Sequence, residues 1–119
     1  MSQRPDRIYK LADPADWGAA LLSGTYTGSE HDRRDGFIHF STADQTPGTL
    51  FKHFTEATRL VFAAVDAGAL GGALKWEKSR GGEDFPHLYG DLPLSAVVEA
   101  HLLSRGADGE WTLPEDFLR

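Results

Sequence analysis

The stretch RLVFAAVD, residues 59–66, constrains the fold more than any other segment of the chain. Its central part, LVFAAV, is wholly apolar and has the length of a strand, so neither of its sides suits water. A strand of this kind is covered on both faces by other elements. We therefore predict a central strand in a layered domain.

The segment before this strand predicts one strand and one helix. Alternating polar and apolar residues in RIYKL indicate a strand over residues 7–11. Asp13 can cap a helix, Pro14 suits its first turn, and Gly24 can end it in the left-handed conformation. The buried stripe of this helix is predicted to contain Trp17, Ala20 and Leu21.

The polar residues 24–36 predict a loop, and GFIHFS, residues 36–41, predicts a strand. Alternation places Phe37, His39 and Ser41 on one face of that strand. A helix that begins at Thr46–Pro47 and runs through residue 54 is predicted next. Its buried residues are predicted to be Leu50, Phe51 and Phe54.

The second half of the chain predicts mainly strands, so the fold class is α+β. LKWEKS, residues 74–79, indicates a strand, and FPHLYGDL, residues 85–92, an extended segment. The C-terminal part predicts a β-hairpin with its turn at Asp108–Gly109, and a helix over residues 94–104 is the alternative. The inward face of the hairpin is predicted to contain Val98, Ala100 and Leu102.

Composition limits the class of protein. The 119 residues suit a single domain over 1–119, and the absence of cysteine excludes disulfides, thiolate nucleophiles and cysteine-bound zinc. The formal charge of −6 disfavours broad electrostatic binding to nucleic acid or anionic lipid. With neither a signal-peptide pattern nor a membrane-spanning run, we expect a cytoplasmic protein that does not contact membranes.

His39 and His87 are the strongest candidates for a functional site because each lies in an apolar, aromatic context. A buried imidazole without hydrogen-bond partners costs about 1–3 kcal/mol, so partners are expected. If the two segments converge, the nearby candidates are Ser41, Thr42, Glu77 and Tyr89. The other three histidines, His31, His53 and His101, are expected to be solvated.

These residue types favour a ligand over a metal. Two histidines and a glutamate can bind a metal, but no HxH or HxxxH spacing accompanies them, and no metal is expected. Neither a G-x-S-x-G elbow nor a glycine-rich phosphate loop is present. Imidazoles, hydroxyls, one carboxylate and aromatic faces together suit a nucleotide or sugar.

Four segments carry a resemblance to a known family: IYKL, DGFIHFSTADQ, WEKSRGG and FPHLYGDLPLSAV. In this order they resemble the bacterial domain-of-unknown-function 952 family, over about residues 8–98. The resemblance implies an ADP-ribosyltransferase-like fold, shared with the RNA 2′-phosphotransferase. That fold has a split antiparallel β core with short flanking helices and a cleft that binds NAD in active members.

The resemblance also implies roles for individual residues. Glu77 takes the acidic catalytic role, and His39, also assigned as catalytic, contacts ribose or phosphate together with His87. Lys10 stands at about the place where many active members carry a histidine. The remaining ligand-binding roles fall to Ser41 or Thr42 as the hydroxyl, Tyr89 for stacking and Arg80 as a phosphate clamp.

Three functions remain open at this point. The first is an NAD-dependent ADP-ribosyl or RNA 2′-phosphate transferase, and the second is a catalytically inactive domain that binds a nucleotide or another small molecule. The third is a different enzyme that acts on a nucleotide or sugar phosphate in the same cleft. A structural protein, whose motifs serve packing alone, is the remaining alternative, because fold alone does not determine function.

Overall fold

The structure, a computed structural model, describes residues 5–114 and is built around the predicted central strand, β4 (Arg59–Asp66). Strands β1 (Arg7–Ala12) and β8 (Val97–Ser104) pair with its two sides in antiparallel orientation. One face of β4 packs in a first core through Val61, Ala63 and Val65, and the other face packs in a second core through Leu60, Phe62 and Ala64. Both faces of the strand are therefore covered, as predicted. The helices and strands are β1 (Arg7–Ala12), α1 (Pro14–Ser23), β2 (Thr25–Tyr26), α2 (Glu30–Asp35), β3 (Ile38–His39), α3 (Thr46–His53), β4 (Arg59–Asp66), β5 (Leu74–Lys78), β6 (Asp84–Leu88), β7 (Leu92–Pro93) and β8 (Val97–Ser104).

Helix α1 has the predicted ends but a narrower buried stripe. The Asp13 carboxylate accepts hydrogen bonds from two first-turn amides, and Gly24 closes the helix at φ 86°. Trp17 and Ala20 are buried, whereas Leu21 is 65% exposed, so the prediction for Leu21 was wrong. Trp17 and Ala20 are the residues of this helix that pack in the first core. Leu21 lies about 100° further round the helix than Ala20, on the side that faces solvent.

The segment predicted as a loop contains β2 and α2 instead. Helix α2 begins with a capping box, in which the Ser29 hydroxyl accepts from the Asp32 amide and the Asp32 carboxylate accepts from the Ser29 amide. It ends at Gly36, whose φ is 88°. The loop prediction failed because this short helix has no apolar stripe, which is the main signal for a helix in a sequence.

A second antiparallel sheet, in the order β3-β6-β5, lies beside the first. Two backbone hydrogen bonds connect the sheets: the Tyr9 amide donates to the Ser41 carbonyl at 2.8 Å, and the Ser41 amide donates to the Tyr9 carbonyl at 2.9 Å. The α+β class, with antiparallel sheets and short helices, is therefore confirmed. The second sheet brings together the two segments that contain His39 and His87.

Helix α3 packs on the second core through one side. Leu50 is buried and Phe54 is half-buried, as predicted, but Phe51 is 84% exposed and that prediction was wrong. Phe51 lies about 100° further round the helix than Leu50, beyond the width of the contact. None of the helices within residues 5–114 is long and apolar enough to cross a membrane.

Within residues 5–114, the predicted C-terminal hairpin consists of a tight turn and one bridge. Strand β8 pairs with β4, and an isolated bridge joins Arg105 to Trp111. Val98 and Leu102 are 46% and 50% exposed and Ala100 is also exposed, whereas Leu103 is buried, so the predicted inward face was wrong. β8 is an edge strand, and a register shift opposite Ala64–Val65 changes its alternation.

Candidate functional site

His39 and His87 lie directly opposite each other on β3 and β6, so the expected convergence of the two segments is confirmed. Their ring centroids are 5.5 Å apart. The Phe37 ring contacts both, stacked on His87 with a centroid distance of 4.1 Å and tilted against His39 at 4.6 Å. Phe37 therefore restricts the orientation of both imidazoles.

A cavity of about 430 Å³ lies beside this pair. Its volume is within the range of sites for small organic ligands. Four of the candidate residues line it: Lys10, His39, Ser41 and His87. Thr42, Glu77 and Tyr89 are not among the residues that line it, and the side chain of Arg80 lies outside the part that the structure describes.

Asp32 is the buried anchor of the site, with a side chain that is 2% exposed. One carboxylate oxygen accepts from Lys10 Nζ and from the Ser29 amide, both at 2.9 Å. The other accepts from the His39 amide at 3.1 Å and from His39 Nδ1 at 2.6 Å. Burial raises the pKa of Asp32, but the hydrogen bond from His39 and the charge of Lys10 outweigh it and hold the pKa well below the usual value.

Lys10 connects three parts of the chain. From β1, its ammonium donates to Asp32 in α2 and to the carbonyl oxygen of His39 in β3, the latter at 2.9 Å. Burial lowers the pKa of Lys10, while the charge and hydrogen bond of Asp32 counteract that effect. Both of these hydrogen bonds are made within the chain and use the ammonium group that a ligand would contact. The role of Lys10 in ligand binding therefore stays a prediction.

The second nitrogen of His39 faces another carboxylate. His39 Nε2 lies 3.0 Å from Asp35 Oδ2, and His31 Nε2 lies 3.4 Å from the same oxygen. The rings of His31 and His39 are 4.6 Å apart, and the rings of His31 and His53 are 6.2 Å apart. His31 is exposed as expected, but His31 and His53 both line the cavity rather than standing apart from it.

His87 is held by a carboxylate of its own. Its Nδ1 lies 2.7 Å from Glu77 Oε1, and the Tyr89 hydroxyl donates to the same oxygen at 2.8 Å. The hydrogen bonds from His87 and Tyr89 lower the pKa of Glu77, and the bond to Glu77 raises the pKa of Tyr89. The three residues predicted around the FPHLYG segment thus form one hydrogen-bonded cluster.

The two candidate hydroxyls occupy different positions. Ser41 Oγ lies 2.9 Å from Thr49 Oγ1, and both residues line the cavity. Thr42 holds the turn that precedes α3, because its amide donates to the Gln45 side chain and its hydroxyl accepts from the Gln45 amide. Of the two alternatives, Ser41 is the hydroxyl that a bound molecule can reach.

Several residues of the site have sequence patterns that indicate their structural role, although the sequence analysis did not predict them as site residues. Ser29 and Asp32 have the three-residue spacing of a capping box, and Gly36 follows at the distance of a helix end. His31, Asp35 and His39 recur every fourth residue, which places the first two on one side of a helix. His53 and Thr49 showed no such signal, because tertiary packing alone brings α3 to the cavity.

The fold and site define a small α+β protein with a cavity in which carboxylates, hydroxyls and histidines lie among aromatic and aliphatic side chains. The chain belongs to the family described as "Protein of unknown function (DUF952)", whose model matches residues 11–100. The crystal structure of protein CC0527 from Caulobacter crescentus is 46% identical, with a TM-score of 0.87, and covers 94% of this chain and 97% of its own. The solution structure of CC0527 gives a TM-score of 0.77 at 46% identity, over 88% of this chain and 90% of that one. No curated protein matches the chain.

Proposed function

We propose that the cavity binds a small, hydroxyl-rich molecule of the sugar or nucleoside class, and that His87 exchanges a proton with it. The Glu77–His87 pair carries this proposal. His87 is 5% exposed and lines the cavity, while its Nδ1 is held by Glu77 at 2.7 Å. Since Glu77 occupies Nδ1, Nε2 is the nitrogen that His87 can offer to a ligand.

The carboxylate fixes the tautomer of His87. An ionised glutamate only accepts hydrogen bonds, so Nδ1 carries the proton and the neutral ring has its lone pair on Nε2. An imidazole oriented in this way can take a proton from a hydroxyl and return it to a leaving group. Glu77 acts in this scheme as a positioning residue for His87.

The charges around the cavity favour an uncharged ligand over a polyanion. Three carboxylates line it, those of Asp13, Asp32 and Asp35. Lys10 is the one lysine or arginine among its described lining residues, and Lys10 is already paired with Asp32. The hydroxyls of Ser41 and Thr49 add neutral donors and acceptors that suit the hydroxyls of a sugar.

The test is a thermal-shift titration with adenosine, ribose, nicotinamide, ADP-ribose and NAD, in buffer that contains a chelator. A ligand at a hundredfold excess over its dissociation constant stabilises the native state by about 2.7 kcal/mol, or roughly 10 °C for a domain of this size. We expect adenosine or ribose to raise the midpoint more than the phosphorylated ligands. The shift should disappear in His87→Gln and persist in the control His101→Gln, an exposed residue on β8.

If His87→Gln does not fold, Glu77→Met replaces it, because the Glu77 side chain is 38% exposed and methionine removes the oxygen that holds His87 Nδ1. Equal shifts in the wild type and in the folded variant would contradict the proposed role of the Glu77–His87 pair. The absence of any shift with all five compounds would refute ligand binding of this class.

ADP-ribosyl transfer from NAD is a second candidate, supported by the cluster of Glu77, His87 and Tyr89 beside His39. The two hydrogen bonds to Glu77 among the described residues both reach Oε1, so Oε2 is the oxygen that can accept a ribose hydroxyl. A glutamate in this role also stabilises the positive charge that develops as nicotinamide leaves. The cluster contains Glu77 and Tyr89, for which the family resemblance implies the acidic and the stacking role, and His87, for which it implies contact with ribose or phosphate.

This candidate predicts release of nicotinamide from NAD, measured by chromatography, with loss of the reaction in Glu77→Gln and retained NAD binding. Transfer of an RNA 2′-phosphate is the related proposal, and it requires salt-sensitive binding of a 2′-phosphorylated oligonucleotide. Nicotinamide release that is unchanged in Glu77→Gln would exclude the catalytic role of Glu77.

A further inference from the structure

Three side chains at the rim of the cavity have the identity and spacing of metal ligands. His31 and Asp35 are one helical turn apart on α2, and Gly36 then turns the chain so that His39 on β3 returns to the same side. One ligand atom from each of the three lies within 4.8 Å of the other two. Ligands of a tetrahedral ion with bonds of about 2.0–2.1 Å stand ~3.4 Å apart, so a small movement is sufficient.

Two carboxylates lie at the two nitrogens of the His39 ring. Asp32 is buried, and its Oδ1 lies 2.6 Å from His39 Nδ1, so the ring donates to Asp32 through Nδ1–H. Nε2 lies 3.0 Å from Asp35 Oδ2 on the cavity side. A ring nitrogen and a carboxylate oxygen therefore face each other at the position where a metal ion would bind.

This arrangement is the one that orients histidine ligands in metalloproteins. There the imidazole binds the ion through one nitrogen and donates its other N–H to a carboxylate, which fixes the ring and makes it more basic. His39 has such a carboxylate in Asp32, and the backbone amide of His39 donates to the same oxygen at 3.1 Å. The ring is therefore already held in the orientation that a metal ion requires.

We propose that His31, Asp35 and His39 bind a divalent transition-metal ion, with Asp32 positioning His39. Two imidazoles and one carboxylate leave at least one coordination position open, as in catalytic zinc sites and two-histidine, one-carboxylate iron sites. Because all three residues line the cavity, the open position faces the space proposed for the ligand. The metal site does not depend on that ligand and can be tested without it.

Arg34 competes with the metal ion for His31. Its guanidinium donates to His31 Nδ1 at 2.8 Å, which keeps the proton of the neutral ring on Nε2. Metal binding through Nε2 therefore requires Arg34, an exposed residue, to withdraw. Replacing Arg34 by methionine removes the hydrogen bond and one positive charge, and we expect roughly three- to tenfold tighter metal binding.

The experiment is a calorimetric titration of Zn²⁺ into the chelator-treated chain, purified without a histidine tag and with no organic ligand present. We expect one saturable site in the wild type and at least about tenfold weaker binding in His31→Ala and in Asp35→Asn. His101→Ala is the matched control, because it removes an exposed histidine that belongs neither to the cluster nor to the cavity lining and should leave binding unchanged. Circular dichroism confirms that each variant is folded.

Substitution with Co²⁺ gives a second readout that does not depend on activity. Coordination by two imidazoles and a carboxylate should produce visible d–d absorption in the wild type, which is lost in Asp35→Asn. The proposal would be overturned if no saturable site is observed. It would also be overturned if Zn²⁺ binds with equal affinity to the wild type, His31→Ala and Asp35→Asn. Unchanged affinity in Arg34→Met would overturn the competition by Arg34.

Discussion

The replacement Asp32→Asn tests the central claim about the site, that a buried carboxylate holds it together. The change keeps the shape of the side chain, removes its charge and turns one acceptor oxygen into a donor. The Lys10 ammonium then stays buried without a negative charge beside it, whereas the carbonyl oxygen of His39 still accepts from it. His39 Nδ1 or the Ser29 amide also loses an acceptor, depending on how the amide is oriented.

The expected cost is large for a single substitution. Removing one partner of a buried ion pair costs about 3–5 kcal/mol, because the remaining charge is buried without compensation. The lost hydrogen bonds are part of the same effect and are not added to it. We therefore expect about 4 kcal/mol, a major fraction of the roughly 5–15 kcal/mol that stabilise a typical domain.

Urea denaturation followed by circular dichroism measures this loss as a lower midpoint at an unchanged slope. Asp35→Asn is the matched control: it lies on the same helix, its side chain is 37% exposed, and we expect a change below about 1 kcal/mol. Lys10→Met in the Asp32→Asn background removes the stranded charge and should recover part of the stability. The reasoning would be refuted if Asp32→Asn lowered the free energy of unfolding by less than about 1 kcal/mol. It would also be refuted if the effects of Asp32→Asn and Lys10→Met on that free energy were additive in the double variant.

Three further predictions use the same denaturation assay. Leu50→Ala should cost about 2–5 kcal/mol, whereas Phe51→Ala, next to it but 84% exposed, should change stability by less than about 0.5 kcal/mol. Gly28→Ala should destabilise the protein, because the φ of Gly28 is 99° and the added Cβ would lie 2.9 Å from Asp32 Cβ. Gly18→Ala, inside α1, should stabilise it by about 0.5–1 kcal/mol, because the added Cβ meets no atom within 4 Å. The pKa of Asp32 is lower in the folded state than in the unfolded state, where it is about 4. Asp32 therefore stabilises the folded state above about pH 4, and this contribution is lost as the pH falls. The urea midpoint should decrease more steeply below about pH 4 in the wild type than in Asp32→Asn.

The central strand and the His39–His87 pair were predictable because their signals are local. An apolar run of strand length has few alternative structures, and β4 is indeed covered on both faces. His39 and His87 stand in aromatic segments, and the need of a buried imidazole for partners suggested that these segments meet. The cross-strand pairing and the carboxylate on each ring are consistent with that reasoning.

The residues that were mispredicted depend on tertiary structure. Leu21 and Phe51 have the spacing of buried residues, but the width of each helix contact, which the sequence does not state, leaves them exposed. Helix α2 was missed for a different reason. It is held by the buried pair of Asp32 and Lys10, and two charged residues 22 positions apart give no periodic signal.

The proposed metal site does not have the spacings HxH or HxxxH that are typical of histidine ligands. It has an aspartate between its two histidines, at equal steps of four residues. Such a pattern becomes informative only when the first two residues lie on a helix and a turn returns the third. A loop over residues 24–36, as predicted from the sequence, gives His31 and Asp35 no shared face.

One carboxylate links the stability of this protein to its proposed chemistry. Asp32 accepts from β1 through Lys10, from the start of α2 through Ser29, and from β3 through His39. The group that fixes these three segments is therefore also the group that orients the His39 ring towards Asp35 and the cavity. A metal ion bound at Nε2 would strengthen the bond to Asp32 by making Nδ1–H a better donor, and binding would stabilise the native state by mass action. If the ion binds as proposed, Zn²⁺ should raise the unfolding midpoint of the wild type but not that of Asp35→Asn, although the two chains differ little in stability without metal.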